Sequence, residues 1–204
     1  KNGDLRRSGA SAEVGPHSLS KPVWSFRETR GYGGAIESTP VIDGSFNTFI
    51  ATTAGGLFVL QRNGSLLWSQ RLHGRVMTPA LVDGVLYVAT SQGKVHAFDA
   101  ARGTRRWQRQ YAPQAGSDAW SVTAAGGVVL VPGETEQDDG NYAIFALNAS
   151  DGSQLWRFEP AVAVYNFMPA VVEHSVLFVD KAGGMYRLAL GDGKLMWQTG
   201  GYGS

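Results

Sequence analysis

The feature that most constrains this chain is the phrase Gly-x-x-x-Trp, which closes a repeat unit at four places about 40 to 50 residues apart in 204 residues. Its copies are Gly64–Trp68, Gly103–Trp107, Gly152–Trp156 and Gly193–Trp197. A fifth tryptophan, Trp24, has the same place in the short run Pro22–Phe26, without the glycine four residues earlier. Successive tryptophans are 44, 39, 49 and 41 residues apart, and a period of about 40 to 50 residues is typical of propeller blades. The repeat therefore predicts four copies of one supersecondary unit and part of another.

Each unit consists of short apolar runs that suit β-strands. The runs are 4 to 7 residues long and rich in Val, Leu, Phe and Tyr, which is too short for helices. They are divided by pairs that tolerate the positive φ of tight hairpins: Asp43-Gly44, Asp83-Gly84 and Gly126-Gly127. No stretch shows the period of an amphipathic helix. We therefore predict an all-β fold, a β-propeller of four-stranded antiparallel blades with about four blades present, as a half or truncated propeller.

The repeat also predicts how the chain is divided. We place the blades at residues 35–72, 75–111, 117–160 and 166–201. Residues 1–21 are polar and are expected to form an extended arm, and residues 22–27 an outer strand of another blade. Four blades in an open arc leave two apolar faces that need a cover. We therefore expect either that the chain is the N-terminal piece of a longer protein or that a protein partner or a second copy covers these faces. The alternative is a closed four-bladed ring in which the first strand joins the last blade.

The repeated tryptophans and glycines have an explanation in packing. An indole at the start of an outer strand fills the wedge between blades and buries on the order of 200 Å². That is roughly 5 kcal/mol at about 25 cal/mol/Å², before entropy is subtracted. The glycine lies in the preceding turn, where a side chain would obstruct the ring. We therefore assign blade docking to Trp24, Trp68, Trp107, Trp156, Trp197, Gly64, Gly103, Gly152 and Gly193.

Composition and charge exclude several classes of function. The 18 Lys and Arg residues nearly balance the 17 Asp and Glu residues, so no net field attracts nucleic acid or an anionic membrane. There is no cysteine, which excludes disulfides, thiolate nucleophiles and cysteine-ligated metals. No apolar run approaches the roughly 18 residues of a membrane span, and the first residues lack the apolar core of a signal peptide. We expect neither a nucleic-acid partner nor a membrane span.

Longer stretches of the chain resemble a known repeat family. Tyr87–Trp107, with its sequence YVATSQGKVHAFDAARGTRRW, resembles the pyrroloquinoline-quinone (PQQ) repeat with its tryptophan-docking motif. Ala146–Trp156 is similar, and Asn2–Ser11 resembles the lead-in of many such propellers. The resemblance implies membership of the quinoprotein alcohol dehydrogenase-like superfamily. That superfamily includes PQQ-dependent dehydrogenases and also cofactor-free assembly scaffolds and kinase sensor domains. It favours an extracytoplasmic, secreted or organelle-lumenal location.

The resemblance leaves three functions open. The dehydrogenases are longer, with about eight blades, and many carry a vicinal cysteine pair under the cofactor, which this chain lacks. Their calcium ligands cannot be placed on it. Our hypothesis is therefore a non-enzymatic protein-binding or scaffold subunit of a larger complex, with no cofactor and no catalytic residue. The alternatives are the N-terminal half of a PQQ- and Ca²⁺-dependent alcohol or sugar dehydrogenase, and a ligand-sensing propeller domain.

Two regions carry the candidate binding residues. Trp120 is the one tryptophan outside the repeat positions, at the inner strand where the dehydrogenases stack a quinone; the alternative is a core aromatic. Glu134–Asn141 is the longest insertion and the most acidic stretch. Glu134 and Asn141 could offer oxygens to Ca²⁺. As a protein contact, the same loop presents Glu134, Glu136, Asp138 and Asp139.

A basic cluster leads into the second blade's outer strand and lies along it. Arg105 and Arg106 lie between Arg102 and Arg109. Charged side chains protect an exposed strand edge from pairing with other chains, and the alternative is that they bind an acidic partner. The four histidines, His17, His73, His96 and His174, show no ligand spacing.

Overall fold

The computed structural model describes residues 21–115, 121–136, 142–164 and 167–201. These ranges contain sixteen strands and no helix, so none of them holds a helix that could cross a membrane. The strands are β1 (Val41–Ile42), β2 (Thr48–Ala51), β3 (Gly56–Leu60), β4 (Leu66–Arg71), β5 (Ala80–Val82), β6 (Val85–Thr90), β7 (Lys94–Asp99), β8 (Arg105–Gln110), β9 (Thr123–Ala125), β10 (Val128–Glu134), β11 (Tyr142–Asn148), β12 (Gln154–Phe158), β13 (Ala170–Val172), β14 (Ser175–Val179), β15 (Met185–Ala189) and β16 (Leu195–Thr199).

The strands form four antiparallel sheets, each a simple meander of four consecutive strands. We call β1–β4 blade 1, β5–β8 blade 2, β9–β12 blade 3 and β13–β16 blade 4. The prediction of an all-β propeller with about four four-stranded blades is confirmed. The middle strands β3, β6 and β10 are buried along their whole length. Blades cover both faces of β6 and β10, whereas β3 has blade 2 on one face and the side chains of Phe26 and Tyr32 on the other. This is why their sequences are continuous apolar runs rather than alternating ones.

The core lies between blades. One buried cluster joins blades 1 and 2, a second joins blades 2 and 3, and a third joins blades 3 and 4. In the part of the chain that the structure describes, no such cluster joins blade 4 back to blade 1. The blades therefore follow one another as an open arc, and not as the closed four-bladed ring that the sequence left open. We call the side of a blade that faces the next blade in the chain its forward face, and the opposite side its backward face.

The segment expected as an outer strand, residues 22–27, belongs to no sheet in this structure. An outer strand needs a third strand of its own blade to pair with, and no described residues supply one.

The hairpin turns follow the sequence in two blades and differ in the others. Gly126 and Gly127 both have positive φ, as do Asp83 (48°) and Gly84 (72°). The Asp43-Gly44 pair does not form such a turn, because the Asp43 carboxylate accepts hydrogen bonds from the backbone of Ser45 and Asn47 and closes a longer loop. The corresponding turn of blade 4 consists of Glu173 and His174, with φ of 48° and 61°. Residues other than glycine are strained in this conformation.

Candidate functional site

Blade 1 is fastened to blade 2 at the outer rim by a tryptophan. The Trp68 indole lies against Gly103, so closely that a Cβ on this glycine would be 2.6 Å from the ring. Its N–H donates to the carbonyl of Ala100 at 2.8 Å. Gly103 has a φ of 69°, a conformation that glycine adopts without strain. We call such a glycine, with the carbonyl that precedes it in the turn, a glycine socket.

The next two interfaces repeat this arrangement. A Cβ on the glycine would come 2.7 Å and 2.6 Å from the ring in the pairs Trp107 on Gly152 and Trp156 on Gly193. The two indole N–H groups donate at 3.0 Å and 2.8 Å to the carbonyls of Ala149 and Leu190. At the interface of blades 2 and 3 the hydroxyl of Tyr87 donates to the same carbonyl, that of Ala149.

The socket of blade 1 is filled from the N-terminal side of the chain. Trp24 lies on Gly64, where a Cβ would be 2.6 Å from the ring, and its N–H donates to a carbonyl of the same turn at 2.9 Å. The rings of Phe26 and Tyr32 lie 5.8 and 6.4 Å from that of Phe58, on the backward face. This segment therefore covers the end of the arc at blade 1.

Trp197, the last of the series, lies on no glycine socket among the described residues. No described residue accepts a hydrogen bond from its N–H, and no described glycine lies against its ring. All five residues of β16 are exposed. The chain thus has four docked tryptophans and one that is undocked within the described ranges.

The blades are also joined near the propeller axis. The backbone N–H of Thr39 donates to Thr78 Oγ1 at 3.0 Å. The carbonyl of Thr78 accepts from the N–H of Val122 at 3.0 Å, and the hydroxyl of Ser121 donates to the carbonyl of Phe167 at 2.9 Å. Each interface is therefore held at both its inner and its outer rim.

The acidic insertion rises from the longest hairpin of the described chain. β10 and β11 pair over seven residues, up to Glu134 opposite Tyr142. The Glu134 carboxylate accepts from the side chain of Gln114, and the two backbones are joined at 3.0 Å. The sequence suggested that Glu134 presents its carboxylate to a partner. In the structure Glu134 is only 6% exposed, and it anchors the base of the loop instead. Glu136 is exposed.

Several candidates lie outside the described residues: Trp120, Asp138, Asp139 and Asn141. Within the described ranges, no three His, Asp or Glu side chains are grouped so that they could hold a metal ion.

Arg105 and Arg106 are both exposed on β8, the outer strand of blade 2. Arg106 forms an ion pair with Asp99 at 3.3 Å, and Arg105 donates to Gln108 at 3.0 Å. A backbone hydrogen bond from Arg102, with the Arg106 guanidinium, lowers the pKa of Asp99. These contacts place the arginines along the strand edge, where charge discourages pairing with another chain.

One buried histidine lies between blades 1 and 2. His96 is 4% exposed, and its ring stacks on Phe98 at 6.0 Å. Its Nδ1 has no hydrogen-bond partner, nor has the hydroxyl of Thr90 on the same sheet. Burial, together with the nearby charges of Arg105 and Lys94, lowers its pKa to about 4.

The residue at the centre of the forward face of blade 4 was not singled out from the sequence. In each blade the third strand places one residue beside the docking tryptophan: Val59, Ala97, Ala146 and Arg187. The first three are fully buried. Counting back about ten residues from each tryptophan would have shown an arginine where the other blades have a small apolar residue.

The chain was compared with known proteins. The family profile described as outer membrane protein assembly factor BamB matches residues 19–136 and 109–203. Among curated relatives, the serine/threonine-protein kinase AfsK of Streptomyces coelicolor is 33% identical over 66% of this chain and 15% of its own length. BamB of Burkholderia pseudomallei is 30% identical over 54% of this chain and 28% of its own. The quinohemoprotein alcohol dehydrogenase of Comamonas testosteroni is 34% identical over 45% of this chain and 14% of its own.

Two solved structures show the same fold. BamB from Moraxella catarrhalis superposes with a TM-score of 0.64 at 20% identity, over 80% of this chain and 48% of its own. The quinohemoprotein alcohol dehydrogenase from Comamonas testosteroni superposes with a TM-score of 0.66 at 14% identity, over 82% of this chain and 35% of its own. The chain spans less than a third of the length of the curated relatives named above. It belongs to the PQQ-repeat β-propeller family whose profile is described as outer membrane protein assembly factor BamB.

Proposed function

We propose that this chain is a non-enzymatic propeller module that binds protein partners within a larger assembly on the outer, extracytoplasmic side of a cell membrane. The proposal rests on the family match along residues 19–203 and on relatives named as outer membrane protein assembly factors. Trp68, Trp107 and Trp156, with the glycines on which they lie, are engaged in packing one blade on the next. Protein contacts are therefore expected on the features by which a blade departs from the repeat.

The observation that carries the proposal is the rigid base of the acidic hairpin. β10 and β11 form the longest ladder of the described chain. Two hydrogen bonds hold the far end of this ladder. The side chain of Gln114 donates to the Glu134 carboxylate, and the hydroxyl of Tyr111 donates to the carbonyl of Pro132 at 2.8 Å. Beyond this base the sequence carries Glu136, Asp138 and Asp139. A loop on a rigid scaffold is a common location for recognition, and three carboxylates favour a basic partner surface.

The test uses charge reversal with a matched control. The variant Glu136→Lys, Asp138→Lys, Asp139→Lys and the control Glu37→Lys, Glu159→Lys, Asp192→Lys change the net charge equally. A photo-crosslinking residue at position 136 is used with solubilised outer-membrane proteins to find the partner, which is then purified and titrated. We expect the loop variant to weaken binding at least tenfold and the control less than twofold, since only the first removes contacts to the partner. Equal binding of both variants would contradict the proposal.

The resemblance to a quinohemoprotein alcohol dehydrogenase supports a second candidate, a piece of a PQQ- and Ca²⁺-dependent dehydrogenase. Within the described residues, no three His, Asp or Glu side chains are grouped so that they could hold the calcium ion, and we name no ligand for it. We therefore derive no reaction step from it. Titration with PQQ and Ca²⁺, followed by absorbance and dye-linked alcohol oxidation, separates the two candidates. A saturable quinone spectrum with turnover would support the dehydrogenase and contradict the scaffold.

A further inference from the structure

Blade 2 departs from the repeat on its outer strand. In the other blades the residue before the docking tryptophan is apolar and exposed: Leu67, Leu155 and Met196, at 38%, 44% and 55%. In blade 2 this position is Arg106, which Arg105 precedes, and Arg109 lies two residues beyond the tryptophan. All three arginines are exposed. The outer strand β8 therefore carries three arginines, whereas β4, β12 and β16 together carry two.

The turn before β8 also has an arginine that the other blades lack. The residue before the socket glycine is Asn63, Asp151 or Asp192 in blades 1, 3 and 4. The side chain of each accepts a hydrogen bond from the backbone N–H two residues further on, at 3.0, 2.8 and 3.1 Å, which closes the turn. Blade 2 has Arg102 at this position, and a guanidinium cannot accept such a bond. The arginine thus replaces a residue that stabilises the turn.

Protection of a strand edge does not by itself account for these four residues, which we call the arginine cluster: Arg102, Arg105, Arg106 and Arg109. The strands β4, β12 and β16 are also outermost in their sheets, and they leave leucine or methionine exposed beside the tryptophan. Arg102 precedes β8 and lies on no strand edge. Arginine that takes the place of local stabilising residues is typical of a recognition surface, because arginine is enriched at protein interfaces and among their hot spots.

The arginine cluster keeps an excess of positive charge. Arg102 and Arg106 share one carboxylate, that of Asp99, at 3.5 and 3.3 Å. Arg105 donates to a neutral amide at 3.0 Å. Within the described residues, no carboxylate lies within 4 Å of the guanidinium of Arg105 or Arg109. The cluster therefore attracts an anionic ligand, and Asp99 holds two of its guanidinium groups in place for it.

Arg106 also lines a cleft of about 360 Å³ between blades 2 and 3. Tyr87 lies on the blade 2 side of this cleft, and Asn148 and Ser150 lie on the blade 3 side. Asn148 Oδ1 accepts from the backbone and the hydroxyl of Ser150, so the amide N–H groups of Asn148 and the Arg106 guanidinium are the donors at the cleft. A pocket of this size with few polar groups is suited to binding, and these donors suit a carboxylate.

We infer that the arginine cluster is a docking surface for an acidic peptide segment of a protein partner, which lies along β8 and places one carboxylate in the cleft beside Arg106. From Arg105 to Arg109 the strand extends roughly 13 Å, at about 3.3 Å per residue, so a short extended segment spans it. Arginine binds carboxylates through paired, charge-assisted hydrogen bonds. The inference rests on the proposed protein-binding role and uses no residue of the acidic loop.

The arrangement of the arginines favours an extended chain over a membrane surface. Arg105 lies opposite Phe98, which packs between blades 1 and 2, whereas Arg106 lines the cleft between blades 2 and 3. The cluster therefore flanks the strand on both sides and does not form one flat basic face. The near balance of charge over the whole chain also provides no net field to attract an anionic membrane.

The test uses a labelled acidic peptide and variants that restore the repeat. Fluorescein-labelled hexaglutamate is titrated with the chain at low ionic strength and followed by fluorescence anisotropy, with hexaglutamine as the control ligand. The variant Arg105→Leu, Arg106→Leu introduces the residues that blade 1 has before its tryptophan, and we expect it to weaken hexaglutamate binding at least tenfold. The control Arg71→Leu, Arg157→Leu removes arginines from the outer strands of blades 1 and 3 and should weaken binding less than twofold.

A third variant separates binding from stability. Arg102→Asn introduces the residue that blade 1 has before its socket glycine. We expect it to weaken hexaglutamate binding at least threefold, because it removes a guanidinium of the cluster. Its melting temperature should be unchanged or higher, because asparagine restores the side-chain hydrogen bond of the turn. A lower melting temperature would show that Arg102 serves the turn and would contradict the inference.

The remaining outcomes also decide the inference. Equal binding of hexaglutamate and hexaglutamine, or equal weakening by the two double variants, would overturn it. Binding to phosphatidylglycerol vesicles through Arg105 and Arg106, without binding of the peptide, would identify a membrane as the partner instead. If the leucine variant fails to fold, the side-chain N–H signals of the four arginines are followed by NMR in the wild-type chain, and signals that hexaglutamate does not shift would contradict the inference. Because hexaglutamate is not a ligand of the acidic loop, failure of this test and failure of the proposed function are distinguishable.

Discussion

The Trp24 indole docks on Gly64 although the segment that carries Trp24 belongs to no sheet. Its ring and its hydrogen bond have the same geometry as those of Trp68 on Gly103, whose strand is part of a complete blade. Docking therefore depends on the indole, the glycine and the carbonyl beside it, and not on a strand ladder around the ring. This independence makes the sockets separately testable.

The first prediction concerns the glycine of a socket. Gly103→Ala should lower the free energy of unfolding by about 2 to 4 kcal/mol. Roughly 1 kcal/mol comes from placing alanine at positive φ and about 1 to 3 kcal/mol from displacing the Trp68 ring. Urea unfolding measures the change. Gly127→Ala is the matched control, since Gly127 also has positive φ but a Cβ there meets no atom within 4 Å. Equal losses in the two variants would contradict the role of the ring contact.

The second prediction concerns the indole hydrogen bonds. Trp156→Phe should cost about 2 kcal/mol, because it leaves the buried carbonyl of Leu190 without its donor and reduces the buried ring area. Trp197→Phe should cost less than about 0.5 kcal/mol in the same chain, since no described residue accepts from Trp197. Thermal and urea unfolding of both variants provide the comparison. A large loss at Trp197 would show that its ring is already engaged.

The third prediction concerns pH. The pKa of His96 is lowered to about 4 by burial, so the native state resists a proton that the unfolded chain accepts near its ordinary value of 6.5. Stability is therefore complete above about pH 6.5 and falls as the pH is lowered towards 4, by about 3 kcal/mol in order of magnitude. The pKa values of Asp99, Asp151 and Asp192 are lowered instead, and their contributions are lost at more acidic pH.

His96→Gln separates this effect from general acid denaturation. The variant has no titratable group at this position, so its stability should change much less between pH 7 and 4.5 than that of the wild type. Urea midpoints at several pH values measure the two slopes. The control is His73→Gln, which removes a nearby histidine. The pH dependence of its urea midpoint should keep the wild-type slope. Parallel slopes for His96→Gln and the wild type would exclude His96 as the source.

The fourth prediction concerns the strained turn of blade 4. His174→Gly should raise the free energy of unfolding by roughly 1 kcal/mol, because His174 has a φ of 61° that glycine adopts at little cost. Glu173 is kept so that its ion pair with Arg187 is preserved. The reciprocal change Gly84→His, in the equivalent turn of blade 2, should lower stability by a similar amount. A destabilised His174→Gly chain would indicate that the imidazole makes a contact that offsets the strain.

The sequence by itself determined the repeating architecture. Short apolar runs, turn pairs and the Gly-x-x-x-Trp phrase are local signals, and they fix a four-stranded blade and the residues at its rim. The four copies fix the number of blades. These features were predictable because strand length, turn conformation and the size of an indole depend on neighbouring residues and not on the rest of the molecule.

The tertiary structure alone decided which of these residues are engaged. Glu134 was predicted from its acidic surroundings to be a surface contact. In the structure it is the last paired residue of the β10–β11 ladder, and its carboxylate accepts a hydrogen bond from Gln114. Trp24 and Trp197 have equivalent places in the sequence repeat, yet of the two only Trp24 lies on a glycine in the part of the chain that the structure describes. Arg187 became notable only when the register placed it beside Trp197. The reason is physical: burial and hydrogen-bond partners are set by contacts between blades, which join residues about 40 positions apart and leave no local signature in the sequence.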